Sequence, residues 1–221
     1  MSQNEQLIRA VESVKNKINQ LLAEKDHVIV AIDGRCASGK TTLAGVLRQE
    51  LNCNVVHMDD FFLRPEQRTA ERLQTPGENV DHERFMEEVL LPYKNAKIEE
   101  TAGSQEQDCQ ELFDQGRQEK QTSEIWYRPY DCHTKRLTDQ ICIVPGKVLV
   151  VEGAYSCHKE LYEHYDLHIF MDVEPQVQLE RIVARNGAEQ AKRFQEMWIP
   201  LEERYLAEFG VEEQCEMRFR L

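Results

Sequence analysis

Residues 34–41 read Gly-Arg-Cys-Ala-Ser-Gly-Lys-Thr and fill the pattern G-x-x-x-x-G-K-[ST] without a gap. That spacing suits polyphosphate. Gly34 and Gly39 let the backbone curl so that successive N–H groups, Ala37 and Ser38 included, point at phosphate oxygens at the positive end of a following helix. Lys40 has the reach for the β and γ phosphates, Thr41 offers its hydroxyl to Mg²⁺, and Thr42 sits where an α-phosphate would pass. Such a loop implies nucleoside triphosphate binding but not the fate of the γ-phosphate, which charged residues at neighbouring strand ends must decide. Asp59, in His57-Met58-Asp59-Asp60-Phe61-Phe62, could hold an acceptor hydroxyl in line with the γ-phosphorus and take its proton. Spacing alone does not separate it from Asp60, and a strand-end acid can equally cap a turn. Glu152, after Val148-Leu149-Val150-Val151, is placed like an acid that holds Mg²⁺ or one of its waters. Arg181, Arg185 and Arg193, on two helices broken at Asn186-Gly187, could close over the triphosphate as a lid that offsets charge on the leaving oxygen. The bland alternative for each is a solvated surface arginine.

These residues need a sheet to hold them. His27–Asp33 is a β-branched run that reads as a buried strand, followed after the loop by a helix from Thr41. Asn54–Met58 is a second strand, delivering Asp59 and Asp60 to its C-terminal end, the edge where ligands bind in such sheets. Residues 64–80 read as a loop, and a helix from about Asp81 to Leu91 should be stopped by Pro92. Residues 94–123 form a polar stretch without a firm assignment, and 126–131 with 140–144 could pair as strands around a turn at 134–139. The apolar runs 147–153 and 167–172, a helix from Pro175, another holding Arg193 and a strand in 215–221 complete the series. Strands alternating with helices predict a doubly wound α/β fold, a P-loop NTPase with five parallel strands. Leu7, Ile8, Val11, Val14, Ile18, Leu21 and Leu22 place an amphipathic helix over 4–24. The expected organisation is that helix (1–26) packed on one domain (27–221), with a β-containing insertion and acceptor lobe at about 93–146 and a lid at about 181–196.

At 221 residues and 41% hydrophobic content, one domain with an appended lobe is the natural size. A net charge of −13 argues against a nucleic-acid surface. The mixed charges on the N-terminal helix argue against a membrane surface, and no apolar run approaches the ~20 residues that cross a bilayer. The seven cysteines show no C-x-x-C pair and read as reduced thiols, the histidines form no H-E-x-x-H pattern, and no zinc is expected. Cytoplasmic residence is the default. The expected partner is a small-molecule acceptor, with room for a homo-oligomer.

Taken in order, Gly34–Thr41, Met58-Asp59-Asp60-Phe61-Phe62, Asn79-Val80-Asp81-His82, Tyr130-Asp131, Val151-Glu152-Gly153 and the arginine helix resemble the uridine kinase family, over residues 28 to about 205. The resemblance implies a kinase that moves the γ-phosphate of ATP or GTP to the 5′-hydroxyl of uridine or cytidine, a pyrimidine-salvage step dependent on Mg²⁺. It implies that Asp59 is the catalytic carboxylate, that Asp81 holds ribose hydroxyls and that Tyr130 contacts the base. Phe62 takes the place of a tyrosine near the ligand, Glu152 lies near the metal, and Arg181 and Arg185 match the lid arginines. Arg193, in a stretch matched only loosely, joins the substrate-facing set. Two departures stand out. His133 follows Tyr130 more closely than the family's base-reading histidine does, with Lys135 or Arg136 in its place, and 94–123 is unlike the family's compact hairpin lead-in. Kinases of pantothenate, nicotinamide riboside or glycerate, and a nucleotide-dependent regulator, are the alternatives.

Overall fold

The computed structural model describes residues 2–98 and 124–221, so most of the polar stretch 94–123 lies outside the described residues. The described strands are β1 (Val28–Gly34), β2 (Asn54–His57), β3 (Ile125–Tyr127), β4 (Tyr130–Asp131), β5 (Arg136–Leu137), β6 (Ile141–Ile143), β7 (Val148–Glu152), β8 (Leu167–Asp172) and β9 (Met217–Arg220). Five of them form one sheet in the order β2-β7-β1-β8-β9, with every pairing parallel. β1 is buried along its whole length, which is why its sequence is a continuous apolar run rather than an alternation. Val28, Val30 and Ile32 pack on one face with Val11, Val14 and Ile18 of α1 (Gln3–Leu22) and Leu43 and Leu47 of α2 (Lys40–Leu51). Ile29 and Ala31 point to the other face, toward Phe61, Phe85, Tyr155 and Tyr205. Side chains of period two thus feed two cores, and the fold is the expected doubly wound α/β P-loop architecture.

α1 begins at a reciprocal cap, with Glu5 N–H donating to Ser2 Oγ and Ser2 N–H to Glu5 Oε2. Among the described residues no helix is long and apolar enough to cross a membrane.

Four expectations need correction. Residues 64–80 are not a plain loop: they hold a 3₁₀ turn Pro65–Gln67 and a helix Ala70–Gln74 capped by Thr69. Pro92 does not stop its helix, which runs His82–Phe85, Met86–Leu90 and Leu91–Lys94. The middle piece is a π turn in which Leu91 N–H reaches back to Met86 O, and the widened turn gives the proline ring room while dispensing with its missing donor. Pro200 uses the same device. The π turn Phe194–Trp198 precedes it, and the helix Ile199–Phe209 continues through it. The supposed turn at 134–139 contains β5, so the small lobe is two antiparallel ladders, β3 with β6 and β4 with β5. Finally, Cys36, Cys53, Cys132, Cys157 and Cys215 are free, but Cys142 is disulfide-bonded.

Candidate functional site

The phosphate loop leaves β1 at Gly34, which pairs with Met171 of β8. Gly34 has φ +124°, and a Cβ there would lie 2.1 Å from Met171 O on β8, so only glycine can make this exit. Gly39, at φ +100°, caps α2 and turns the chain into its first turn. Ala37 holds φ +58°, uncommon for a residue with a side chain and a mark of a loop shaped by its task. Lys40 is 8% exposed and folds over the loop, its Nζ donating to Gly34 O (2.6 Å) and Arg35 O (2.9 Å). The buried hydroxyl of Ser38 has no hydrogen-bond partner among the described residues, leaving a donor for an incoming phosphate oxygen.

Side chains from distant parts of the chain hold this loop. Asp33, fully buried, accepts from Gly34 N (2.7 Å), Tyr155 N (3.2 Å), Cys157 N (2.8 Å) and Tyr205 Oη (2.8 Å). Glu202 is 4% exposed and accepts the loop amide of Cys36 at 2.7 Å. Burial pushes its carboxyl up to about 7, with Lys40 and the Cys36 N–H opposing and Asp33 and Glu203 adding. Arg35 pairs with Glu203 (2.6 Å) and Asp172 (2.8 Å), and Gln178 donates to Cys36 O (3.1 Å). Sequence reasoning missed this shell. Its available signals were an acid closing an otherwise apolar strand at Asp33, and an acid within the apolar spacing of Pro200, Tyr205 and Leu206 at Glu202.

On the other side of the loop, register does the positioning. The β2–β7 ladder pairs His57 with Glu152, and their side chains meet at 2.5 Å from Nδ1 to Oε1. Glu152 Oε1 also accepts from Thr41 Oγ1 at 3.0 Å. A buried carboxylate and a hydroxyl, both hard oxygen donors at the loop's first helical turn, suit a small divalent cation. The bond with Glu152 raises the pKa of His57 above its ordinary value, with burial opposing.

Asp59 and Asp60 lie in a 3₁₀ turn, Met58–Phe61, at the end of β2. Their environments separate them. Asp60 accepts from Tyr127 Oη (3.2 Å), and its main-chain carbonyl takes the Arg84 guanidinium (2.8 Å). The Asp59 carboxylate makes no hydrogen bond among the described residues, and it lies so near Gly153 that a Cβ there would sit 3.4 Å from Oδ1. Solvent reaches Asp59 from the open side. The crowding cleft walls nevertheless desolvate it and raise its pKa, Lys40 opposing and Glu152 adding.

The remaining candidates are placed unevenly. Asp81, 3% exposed, caps the helix that begins at His82: Oδ1 accepts Arg84 N (3.2 Å), and Oδ2 accepts Gln67 Nε2 (2.8 Å) beside Arg64 (3.7 Å). Its own N–H bonds Phe61 O (2.6 Å) and a bridge joins Phe62 to Val80, fastening this element to the acidic turn. Phe62 is half-buried. Tyr130 is buried on β4, which packs against the Met58–Phe61 turn. Arg181 reaches the loop, donating to Ala37 O (2.9 Å) and Leu221 O (2.8 Å). Arg185 does not: it is exposed and donates to its neighbour Asn186 (2.8 Å). Arg193 is exposed and has no partner among the described residues. Only one of the three expected lid arginines therefore touches the loop in this conformation.

Several solved structures share this fold. A possible uridine kinase from Bacillus stearothermophilus has 18% identity and a TM-score of 0.55, with 94% of this chain and 99% of that one aligned. YFH7 from Saccharomyces cerevisiae, a candidate P-loop kinase with a circular permutation, has 14% identity and a TM-score of 0.64 over 96% and 99% of the two chains. The protein YGR205w has 13% identity and a TM-score of 0.51 over 90% and 86%. At these identities the likeness shows the fold. No curated protein sequence matches the chain. The family model described as phosphoribulokinase / uridine kinase family matches residues 29–198, from β1 through the arginine helices. By that match, across most of its length, the chain belongs to the phosphoribulokinase/uridine kinase family of P-loop phosphotransferases.

Proposed function

We propose that this kinase transfers the γ-phosphate of ATP or GTP to the 5′-hydroxyl of a pyrimidine nucleoside, uridine or cytidine. The observation that carries the reading is Asp59: a carboxylate with no hydrogen bond among the described residues, at the sheet edge between Lys40 and the Glu152-Gly153 element. There it can orient a hydroxyl and accept its proton, and its raised pKa brings it closer to that work. The amides of residues 37–41 and the free Ser38 hydroxyl bind the triphosphate, and Lys40 exchanges the carbonyls of Gly34 and Arg35 for phosphate oxygens. Thr41 and Glu152 would hold Mg²⁺, which when bound offsets charge on the β and γ oxygens. Arg181 is already seated on the loop, and Arg185 would have to swing inward to join it. On the acceptor side, Asp81 Oδ2 would trade Gln67 for ribose hydroxyls, with Phe62 and Tyr130 walling the base and Arg193 reaching in from the lid. The partner is then a small molecule, and neither nucleic acid nor membrane is required.

A second reading, an acceptor bearing an acid group, has Arg64 in its favour, since its guanidinium stands at Asp81. Arg72 is already taken by Glu78 (3.3 Å) and Glu83 (2.6 Å), and Lys135 and Arg136 are exposed beyond β4. The deciding experiment is Mg²⁺-dependent transfer of labelled phosphate from ATP and GTP to uridine, cytidine, pantothenate, nicotinamide riboside and glycerate, with Lys40→Ala as blank. Label on uridine or cytidine supports the proposal. Label only on an acidic acceptor moves the substrate to the second reading.

A further inference from the structure

Away from the phosphate loop, two imidazoles converge on one carboxylate oxygen. Glu78 lies in the turn before Val80, His82 opens the next helix, and His158 comes from the turn after β7, ahead of the helix Lys159–Tyr162. His82 Nε2 is 3.4 Å and His158 Nε2 is 3.7 Å from Glu78 Oε1, and the three donor atoms all lie within 4.8 Å of one another. His158 is fully buried, yet its Nε2 has no hydrogen-bond partner among the described residues. A buried polar atom left unpaired and aimed at two other donors calls for an explanation.

The surroundings look built for these side chains. Gly77 has φ +84°, and a Cβ there would lie 2.8 Å from His158 Cδ2 and 3.2 Å from Nε2, so glycine makes the space the ring fills. Arg72 takes the other oxygen of Glu78, at 3.3 Å from Oε2, leaving Oε1 turned to the histidines. Glu83 Oε2, 3.7 Å from His82 Nε2, is a further oxygen within reach.

We infer that Glu78, His82 and His158 form a binding site for a transition-metal dication of the zinc class, separate from the Thr41–Glu152 pair. Two imidazoles and a carboxylate suit such an ion, whereas Mg²⁺ and Ca²⁺ take oxygen sets. Donor atoms of a tetrahedral centre with bonds of ~2.0–2.1 Å stand about 3.3 Å apart, so the present spacing needs only modest closure. Two adjustments accompany loading. The rings, now stacked at 4.2 Å and 18°, splay so that both Nε2 lone pairs face one point. His158 shifts its proton from Nε2 to Nδ1 and gives up the long 3.3 Å bond from Glu160 N–H. The bound ion would clasp the turn that follows Glu152-Gly153 to the helix headed by Asp81. No motif announced the site, because His158 is brought to the other two ligands only by the fold.

The test uses tag-free full-length chain, stripped with chelator and titrated with Co²⁺ and then Zn²⁺. The expected result is one equivalent of Co²⁺ with the visible absorption of a tetrahedral centre, displaced by Zn²⁺. His82→Gln and His158→Gln should each weaken binding at least tenfold, and His57→Asn should leave it unchanged. Far-UV circular dichroism checks the fold of each variant, and His82→Gln decides if the His158 variant does not fold. No stoichiometric binding by the unaltered chain overturns the inference, as does a Co²⁺ signal that survives His82→Gln or disappears with His57→Asn.

Discussion

Glu202→Gln should stabilise the protein, and by an amount that grows with pH. The carboxyl is 4% exposed, and burial raises it to about 7 from an ordinary 4.5. The folded state therefore binds a proton at Glu202 that the unfolded chain releases between about pH 4.5 and 7. Stability from that proton is fully present below 4.5 and lost as pH rises through 7. A shift of some 2.5 units at about 1.4 kcal/mol each is worth roughly 3 kcal/mol at pH 8. Glutamine keeps an oxygen for the Cys36 N–H, carries no charge to desolvate, and sets its amide hydrogens among acids, Asp33 and Glu203. The variant and the unaltered chain should thus melt together near pH 4.5 and part steadily to pH 8. In a chain of this size the gap there should be about 6–12 °C. Thermal unfolding of both proteins across that range, read as the difference, cancels every other titrating group. A gap that does not change with pH, or a variant less stable at pH 8, would mean that Lys40 and the Cys36 amide repay the burial of the charge in full.

Exchanging Asp59 for Asn should leave nucleotide affinity within about twofold and lower turnover ~10²- to 10⁴-fold, whereas Asp60→Asn should cost only a few-fold, because Asn can still accept from Tyr127. Equal losses in single-turnover assays would refute the distinction between the two acids. Asp81→Ala should cost about 0.5–2 kcal/mol in denaturant unfolding as a lost helix cap, and should also raise the acceptor KM if the ribose role is right. A stability loss with unchanged KM removes Asp81 from the binding set. Arg181→Ala, which breaks bonds to Ala37 O and Leu221 O, should weaken triphosphate binding by about 1.5–3 kcal/mol in calorimetry. Arg185→Ala should leave the melting temperature unchanged, its bond among the described residues being to exposed Asn186.

What could be read from the residues was set by how local its cause is. β1, β7 and β8 are buried on both faces, so their sequences are uninterrupted apolar runs, and the expected spans lie within two residues of the observed ones. The phosphate loop is legible because its constraint is a local one: glycine at two sharp turns, then a lysine and a hydroxyl on the next helix. Pro92 misleads because the rule that proline ends a helix assumes α-helical bonding, and the π turn before it suspends the rule, as the one before Pro200 does. Asp33, Glu202 and His57 were passed over because their partners are remote in sequence. An acid in an apolar stretch reads as an irregularity until Tyr205 or the Cys36 amide is seen against it.

The same distinction explains why the site depends on sheet register more than on any one residue. Asp59 projects from a turn, and its carboxylate has no hydrogen bond among the described residues, so its place is inherited from β2. That strand is held on one side only, by four pairs with β7 from Asn54↔Leu149 to His57↔Glu152. A slip by one residue would move the acidic turn about 3.3 Å relative to Glu152 and turn His57 to the opposite face. Val55 and Val56 oppose Val150 and Val151 in the observed register, and Val56 is buried against Met58 and Phe61. A slip would exchange Val56 for a half-buried neighbour in the core. The apolar pattern of a short edge strand thereby fixes the separation of the candidate base from the candidate metal ligand, and substitutions at Val56 should reach turnover through geometry even though the side chain touches no substrate.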